Sequence, residues 1–214
     1  MTTANKITIA RILMIPLFVL MALYYGRSLE QGAPLEWQRY AAIIIFTIAA
    51  ASDGLDGYIA RRFNQRSRLG VILDPIADKG LLLAGIITLS VSNWKFGFPL
   101  WFPVLVIARD AIVVAGALTL QVLNGHVHIR PSWMGKTATV MQMIALGVVM
   151  LQLNFFSGSI SIGSWRTQLD FVDLPIYLAG ISTAISGFGY VLEGIRQLQA
   201  GGHGDPKSTK QLDP

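Results

Sequence analysis

Six stretches of apolar residues, each close to the length that crosses a bilayer as a helix, recur along the 214 residues of this chain. At about 1.5 Å of rise per residue, about twenty apolar residues cover a hydrocarbon core of about 30 Å. The stretches run over 12–25, 37–60, 74–92, 100–123, 133–155 and 174–198. A composition of 53% hydrophobic and only 14% charged residues, with a mean hydropathy of +0.53, fits the same reading. The expected fold is therefore all-α and integral to a membrane, with six transmembrane helices. A cleaved signal peptide is the rival reading of the first stretch, but Leu23-Tyr24-Tyr25-Gly26 offers no small-residue cleavage site. No internal repeat is visible, so 1–199 is read as one domain and 200–214, rich in Gly, Pro and charge, as a disordered tail.

Charge orients this layout and excludes several functions. Arg61, Arg62, Arg66 and Arg68 crowd the loop after the second stretch, which the positive-inside rule places in the cytoplasm. Six spans then put both termini there too, and about eleven Lys and Arg near inner ends against about four near outer ones agree. The net charge of +5 follows from topology. No aromatic and basic residues interleave as a base-stacking surface would require, so no nucleic acid is expected. The absence of cysteine rules out disulfides and thiolate metal sites. His126 and His128 beside Arg130 read as a solvated loop, since nothing nearby completes a zinc set. A Ser- and Gly-rich loop holding Asp170 and Asp173 precedes the last stretch, where Gly180, Gly187 and Gly194 recur every seven residues and read as helix packing.

Against this apolar background four carboxylates fall within 26 residues, at Asp53, Asp56, Asp74 and Asp78. If both segments are helical, spacings of three and four put each pair on one face of its helix. Two such faces turned together would form one acidic cage, costly at membrane depth unless paired, hydrated or metal-bound. Hard divalent cations favour clustered carboxylate oxygens, so a Mg²⁺ or Mn²⁺ site is expected, in a polar cavity open to the cytoplasmic side. Plain structural readings stand beside it: Asp74 before Pro75 could cap a helix, and the Asp53/Asp56 pair could only bond between helices. Small residues from Ala49 to Ala60 either let another helix approach or admit a ligand beside the acids. A metal-filled cage attracts a diphosphate, one carboxylate can serve as a base toward a hydroxyl, and nearby basic residues can hold phosphate. The residues by themselves thus point to a membrane enzyme acting on a diphosphate with a lipid part.

Asp53-x-x-Asp56-Gly57-x-x-Ala60-Arg61, eight residues, then Gly70-x-x-x-Asp74-x-x-x-Asp78 resembles the full signature of the CDP-alcohol phosphotransferase family, with no position departing from it. The resemblance covers roughly 5–150. It implies a six-helix membrane fold, usually a homodimer, that moves a phosphatidyl-type group from a CDP-linked lipid to an alcohol and releases CMP. Carried over by position, Asp53, Asp56 and Asp74 would bind two metal ions and Asp78 would complete the set and act as the catalytic base. Asp56, Gly57, Ala60, Arg61 and Gly70 would line the CDP pocket.

Weaker features choose the branch. Asn5-x-x-Thr8-x-x-Arg11, Leu73-Asp74-Pro75-Ile76-Ala77-Asp78-Lys79, Arg109-Asp110 and Gly135-Lys136 with Thr137 or Thr139 look like the phosphatidylglycerophosphate-forming branch. That branch implies CDP-diacylglycerol as donor, glycerol 3-phosphate as acceptor and a bacterial inner membrane. Arg109 and Lys136 lead the candidates for the acceptor's phosphate, with Arg11, Arg62 and Arg130 behind them; for Arg109-Asp110 an ion pair with a neighbouring helix is the plain alternative. Serine, inositol phosphate or phosphatidylglycerol are the other acceptors. A membrane prenyltransferase would carry its acidic motifs farther apart, and a divalent-cation transporter would leave Arg61 and Gly70 unexplained and lacks repeat symmetry.

Overall fold

The computed structural model describes residues 3–62, 68–124, 133–153, 157–162 and 165–201. Six helices follow the six apolar stretches in number and order: α1 (Thr3–Glu30), α2 (Glu36–Arg62), α3 (Arg68–Val91), α4 (Trp101–Asn124), α5 (Trp133–Leu151) and α6 (Asp173–Gly201). Between α5 and α6 the expected loop contains an antiparallel hairpin, β1 (Ser157–Ile162) and β2 (Trp165–Asp170), so the fold is not purely helical. Its signal was the period-two alternation of Ser with Gly or Ile at 157–162. The end of β2 is tied to α6 where the Asp170 amide donates to Asp173 Oδ2 at 2.9 Å.

Each helix buries one stripe at helical spacing. On α1 the stripe is Thr8, Arg11, Phe18, Ala22 and Tyr25, and it meets Ala42, Phe46 and Ala49 of α2, with the Phe18 and Phe46 rings 5.4 Å apart. Leu81, Ile86 and Leu89 of α3, Phe102 and Val106 of α4, Ala145, Leu146 and Val149 of α5, and Ile176 and Ala179 of α6 complete the core. The most extensive packing joins α1 with α2, α5 with α6 and α4 with α6. The opposite faces stay apolar, with Leu13, Leu17, Val104, Leu118, Val140, Ile181 and Phe188 all exposed. Helices apolar all round suit a hydrocarbon solvent. Among the described residues three helical segments are long and apolar enough to cross a membrane, Lys6–Glu30, Trp133–Leu151 and Asp173–Arg196.

One end of the bundle is closely knit. Gly32, at a φ of 70°, ends α1 in a left-handed turn, where the Gly32 and Ala33 amides donate to the Leu29 and Ser28 carbonyls. Trp94 Nε1 donates to the Ala22 carbonyl at 2.9 Å and its ring meets Tyr25 edge-on at 4.8 Å. Tyr25 donates to Glu36 of α2 at 3.1 Å and accepts from Gln152, just past α5, at 3.3 Å.

Glycines mark the tight helix crossings. A Cβ on Gly85 would sit 2.9 Å from Leu146, and one on Gly180 would sit 2.8 Å from the Trp101 ring. Of the three heptad-spaced glycines, Gly180 and Gly187 face α4 as packing would require, whereas Gly194 meets nothing within 4 Å among the described residues.

Candidate active site

The condition placed on the four aspartates, that both segments be helical, is met by the backbone. Asp53 and Asp56 fall within α2, Asp74 and Asp78 within α3, and the two helices touch. Asp74 stands well inside α3, which begins at Arg68, so it does not cap that helix and Pro75 is not in its first turn. Gly57, Ala60, Arg61 and Arg62 close α2, and Gly70 lies near the start of α3. The side chains of the four aspartates, Arg61 and Arg62 lie outside the described residues, as does all of Arg130.

Described side chains surround these segments. Ala77, between Asp74 and Asp78, is fully buried, so the acid segment of α3 is seated in the bundle. Arg11, at 0% exposure, donates from Nε to Ser52 Oγ at 3.3 Å, and Ser52 directly precedes Asp53. Ser52 donates in turn to the Ala49 carbonyl at 2.7 Å. The stripe that packs α1 thus carries a guanidinium against α2 at Ser52, one residue before the acidic motif begins.

Lys79, the residue after Asp78, reaches Asp110 of α4 with Nζ 2.6 Å from Oδ2. The other oxygen of Asp110 accepts from Arg109 Nη1 at 2.7 Å. Arg109 Nη2 donates to Ser186 of α6 at 3.0 Å, and the guanidinium carbon lies 5.3 Å from the centre of the Tyr190 ring. The ion pair with a neighbouring helix is therefore present, made by Asp110, and Arg109 is anchored against α6. Arg109 Nε is buried with no partner among the described residues, a state that costs about 1–3 kcal/mol for an ordinary donor. Lys136 is exposed at the start of α5, 5.6 Å from the Trp133 ring centre. Met134, two residues before it, would meet a Cβ placed on Gly189, next to Tyr190, so the start of α5 lies along the part of α6 that contacts Arg109.

The structure ties Arg11 to Ser52, the residue before Asp53, and Arg109, through Asp110, to Lys79, the residue after Asp78. Among the described residues Lys136 lies over the Trp133 ring and is joined to neither group. Lys79 carried a signal, being contiguous with the acidic motif, whereas Ser186 and Tyr190 had none, because only α6 packing reveals them. A groove of about 380 Å³ lined by Leu20, Tyr24, Arg27, Glu30, Val91 and Asn93 lies at the other end of α1 and α3, where Asn93 also bonds Glu30. It is remote from the acids and is not the candidate reaction centre.

Similarity to known proteins identifies the family. A family model described as CDP-alcohol phosphatidyltransferase matches residues 1–180. The CDP-diacylglycerol–glycerol-3-phosphate 3-phosphatidyltransferase of Escherichia coli (strain K12) is 34% identical over 152 residues, 70% of this chain and 77% of the relative. The protein of the same name from Shigella flexneri serotype 5b (strain 8401) matches to the same extent, 34% over 152 residues. With the acidic signature on two adjoining helices and a match across most of its length, the chain belongs to the CDP-alcohol phosphatidyltransferase family.

Proposed function

We propose that this chain transfers the phosphatidyl group of CDP-diacylglycerol to glycerol 3-phosphate, giving phosphatidylglycerophosphate and CMP for phospholipid synthesis. One observation carries the reading: the complete acidic signature, borne on α2 and α3, occurs in a chain 34% identical over 152 residues to a relative named for that transfer.

Asp53, Asp56, Asp74 and Asp78 supply four hard oxygen donors, the set that Mg²⁺ or Mn²⁺ prefers, so the residues present fit a divalent site of two ions. Bound there, the cations neutralise charge on the diphosphate and on the departing phosphate of CMP. Gly57, Ala60 and Gly70 leave room for the CDP moiety beside Asp56, and Arg61 offers a guanidinium to its phosphates. Asp78 takes the proton from the glycerol 3-phosphate hydroxyl. That oxygen bonds to the phosphorus carrying diacylglycerol, and the bond from this phosphorus to the CMP phosphate oxygen breaks. Arg109 and Lys136 are the leading holders of the acceptor's own phosphate, ahead of Arg11, Arg62 and Arg130. Of these, Arg11 is wholly buried against Ser52 and supports α2 more directly than it reaches a soluble acceptor.

All six helices span the membrane in this reading, in one domain over 1–199, with the acids and both termini at the cytoplasmic face of a bacterial inner membrane and two copies forming a homodimer. The apolar outer faces support it. Because the chain has no cysteine, single cysteines placed at Gln31 and Gln65 report topology directly, and only the second should react from the cytoplasm.

The decisive assay is CMP release by purified protein in detergent with CDP-diacylglycerol and Mg²⁺ or Mn²⁺, offering glycerol 3-phosphate, serine, inositol phosphate and phosphatidylglycerol separately. Release with glycerol 3-phosphate alone is expected. Release with another acceptor keeps the aspartate chemistry and overturns the acceptor.

A further inference from the structure

The Lys79–Asp110–Arg109 cluster joins three helices around one carboxylate. Its Oδ2 holds Lys79 of α3 at 2.6 Å and its Oδ1 holds Arg109 of α4 at 2.7 Å, while Ser186 and the Tyr190 face fix Arg109 from α6. Two cations share one anion, leaving this trio with a positive charge in excess. The Arg109 side chain is only 10% exposed and its Nε proton has no acceptor among the described residues, whereas the Lys79 side chain is 48% exposed. One member is thus rigid and short of an acceptor, and the other can reach solvent from the position next to Asp78.

We infer that Lys79 is a specificity-determining residue for acceptors carrying a phosphate, and that Asp110 is the positioning residue that holds Lys79 and Arg109 as one cationic unit beside the reacting hydroxyl. This rests on the proposed transfer to glycerol 3-phosphate. A phosphate dianion offers three oxygens and more charge than the single Asp110 carboxylate, so it can bind both cations at once without displacing the bridge that spaces them. An acceptor without phosphate gains nothing from the unit. Holding both cations from one carboxylate also couples α4 to α3, so loss of Asp110 frees Lys79 and uncouples it from Arg109, which Ser186 and Tyr190 still hold.

The test compares Lys79→Met, Lys79→Arg and Asp110→Asn with the unaltered protein. KM and kcat are measured separately for CDP-diacylglycerol and glycerol 3-phosphate, with glycerol as the acceptor lacking phosphate. Lys79→Met and Asp110→Asn are each expected to raise KM for glycerol 3-phosphate about tenfold or more, to leave KM for CDP-diacylglycerol within about twofold, and to narrow the preference over glycerol. Lys79→Arg restores most of the preference, and the double variant Lys79→Met/Asp110→Asn is no worse than either single one, as residues acting through one another require. Equal losses for both substrates, or an unchanged KM for glycerol 3-phosphate in Lys79→Met, overturn the inference. Lys79 is half-exposed, so its variants remain informative if Asp110→Asn does not fold. Failure of the underlying function would show in the unaltered protein, as absence of turnover with glycerol 3-phosphate.

Discussion

The three glycines spaced by seven along α6 invite one substitution at three sites that the structure makes unequal. Replacing a helical glycine by alanine stabilises by about 0.5–1 kcal/mol where space is free, because the chain loses less backbone entropy on folding. Gly194→Ala meets nothing within 4 Å among the described residues and should realise that gain. At Gly187 the new methyl would sit 3.4 Å from Arg109 Cγ, an ordinary contact, so the gain should be small. At Gly180 it would lie 2.8 Å from two ring carbons of Trp101. That ring stacks on Tyr177 at 5.8 Å and meets Phe102 edge-on at 5.6 Å, so swinging it away forfeits part of two aromatic contacts. Overpacking costs about 1–3 kcal/mol and an aromatic pair is worth about 0.5–1.5 kcal/mol, which leaves Gly180→Ala destabilising by about 1–2 kcal/mol after the backbone gain. At about 2–4 °C per kcal/mol for a chain of this size, thermal unfolding in detergent should fall by about 2–8 °C for Gly180→Ala and rise by about 1–4 °C for Gly194→Ala. Trimming the ring with Trp101→Leu should remove most of the Gly180→Ala penalty. Equal shifts at Gly180 and Gly194, or a penalty that survives Trp101→Leu, would refute the packing argument.

Thr183→Val removes the hydroxyl that accepts from Gln142 at 2.8 Å between α5 and α6, and should cost about 0.6 and at most about 1.7 kcal/mol in detergent unfolding. A double-mutant cycle with Gln142→Leu should return that coupling, and a coupling of zero would mean the bond is not made. Asp78→Asn should retain metal-dependent binding of CDP-diacylglycerol, measured by titration, while CMP release falls about 100-fold or more; near-normal turnover would place the base elsewhere. Chelation with EDTA should abolish both CMP release and the thermal stabilisation by CDP, and a CDP shift unaffected by EDTA would contradict the metal-bridged diphosphate.

Period and charge were enough to find most of the architecture. Apolar runs match all six helices in number and order, and α4 and α6 begin within a residue of the expected positions. α3 begins six residues before the expected start, since Asp74-Pro75 looks like a helix start while the preceding Arg68–Leu73 belongs to the same helix. The hairpin over 157–170 was passed over because Ser and Gly outweigh its alternation locally. At the site, contiguous motifs placed the acids on their helices, but the connections among cations depend on which helices meet. Arg109-Asp110 reads the same whether it faces lipid, a partner helix or substrate. Only packing against Lys79 and Ser186 distinguishes these environments.

Polar bonds also bear on how such a chain enters a bilayer. Consecutive helices are joined in pairs, α1 to α2 by Arg11 and Ser52, α3 to α4 by Lys79 and Asp110, and α5 to α6 by Gln142 and Thr183. A lone charged side chain at the middle of an inserting segment costs about 2.5–3.5 kcal/mol, and the two bonds that involve a charge lower that burden only once the second helix has arrived. In the proposed six-span layout the chain is therefore suited to leave the insertion machinery as three successive hairpins rather than six single spans. The acid-bearing helices α2 and α3 then fall in different hairpins, so the charged centre is completed as hairpins dock. A substitution such as Asp110→Asn, which loosens the second hairpin, would be felt as a lower yield of inserted protein before any catalytic defect is measured.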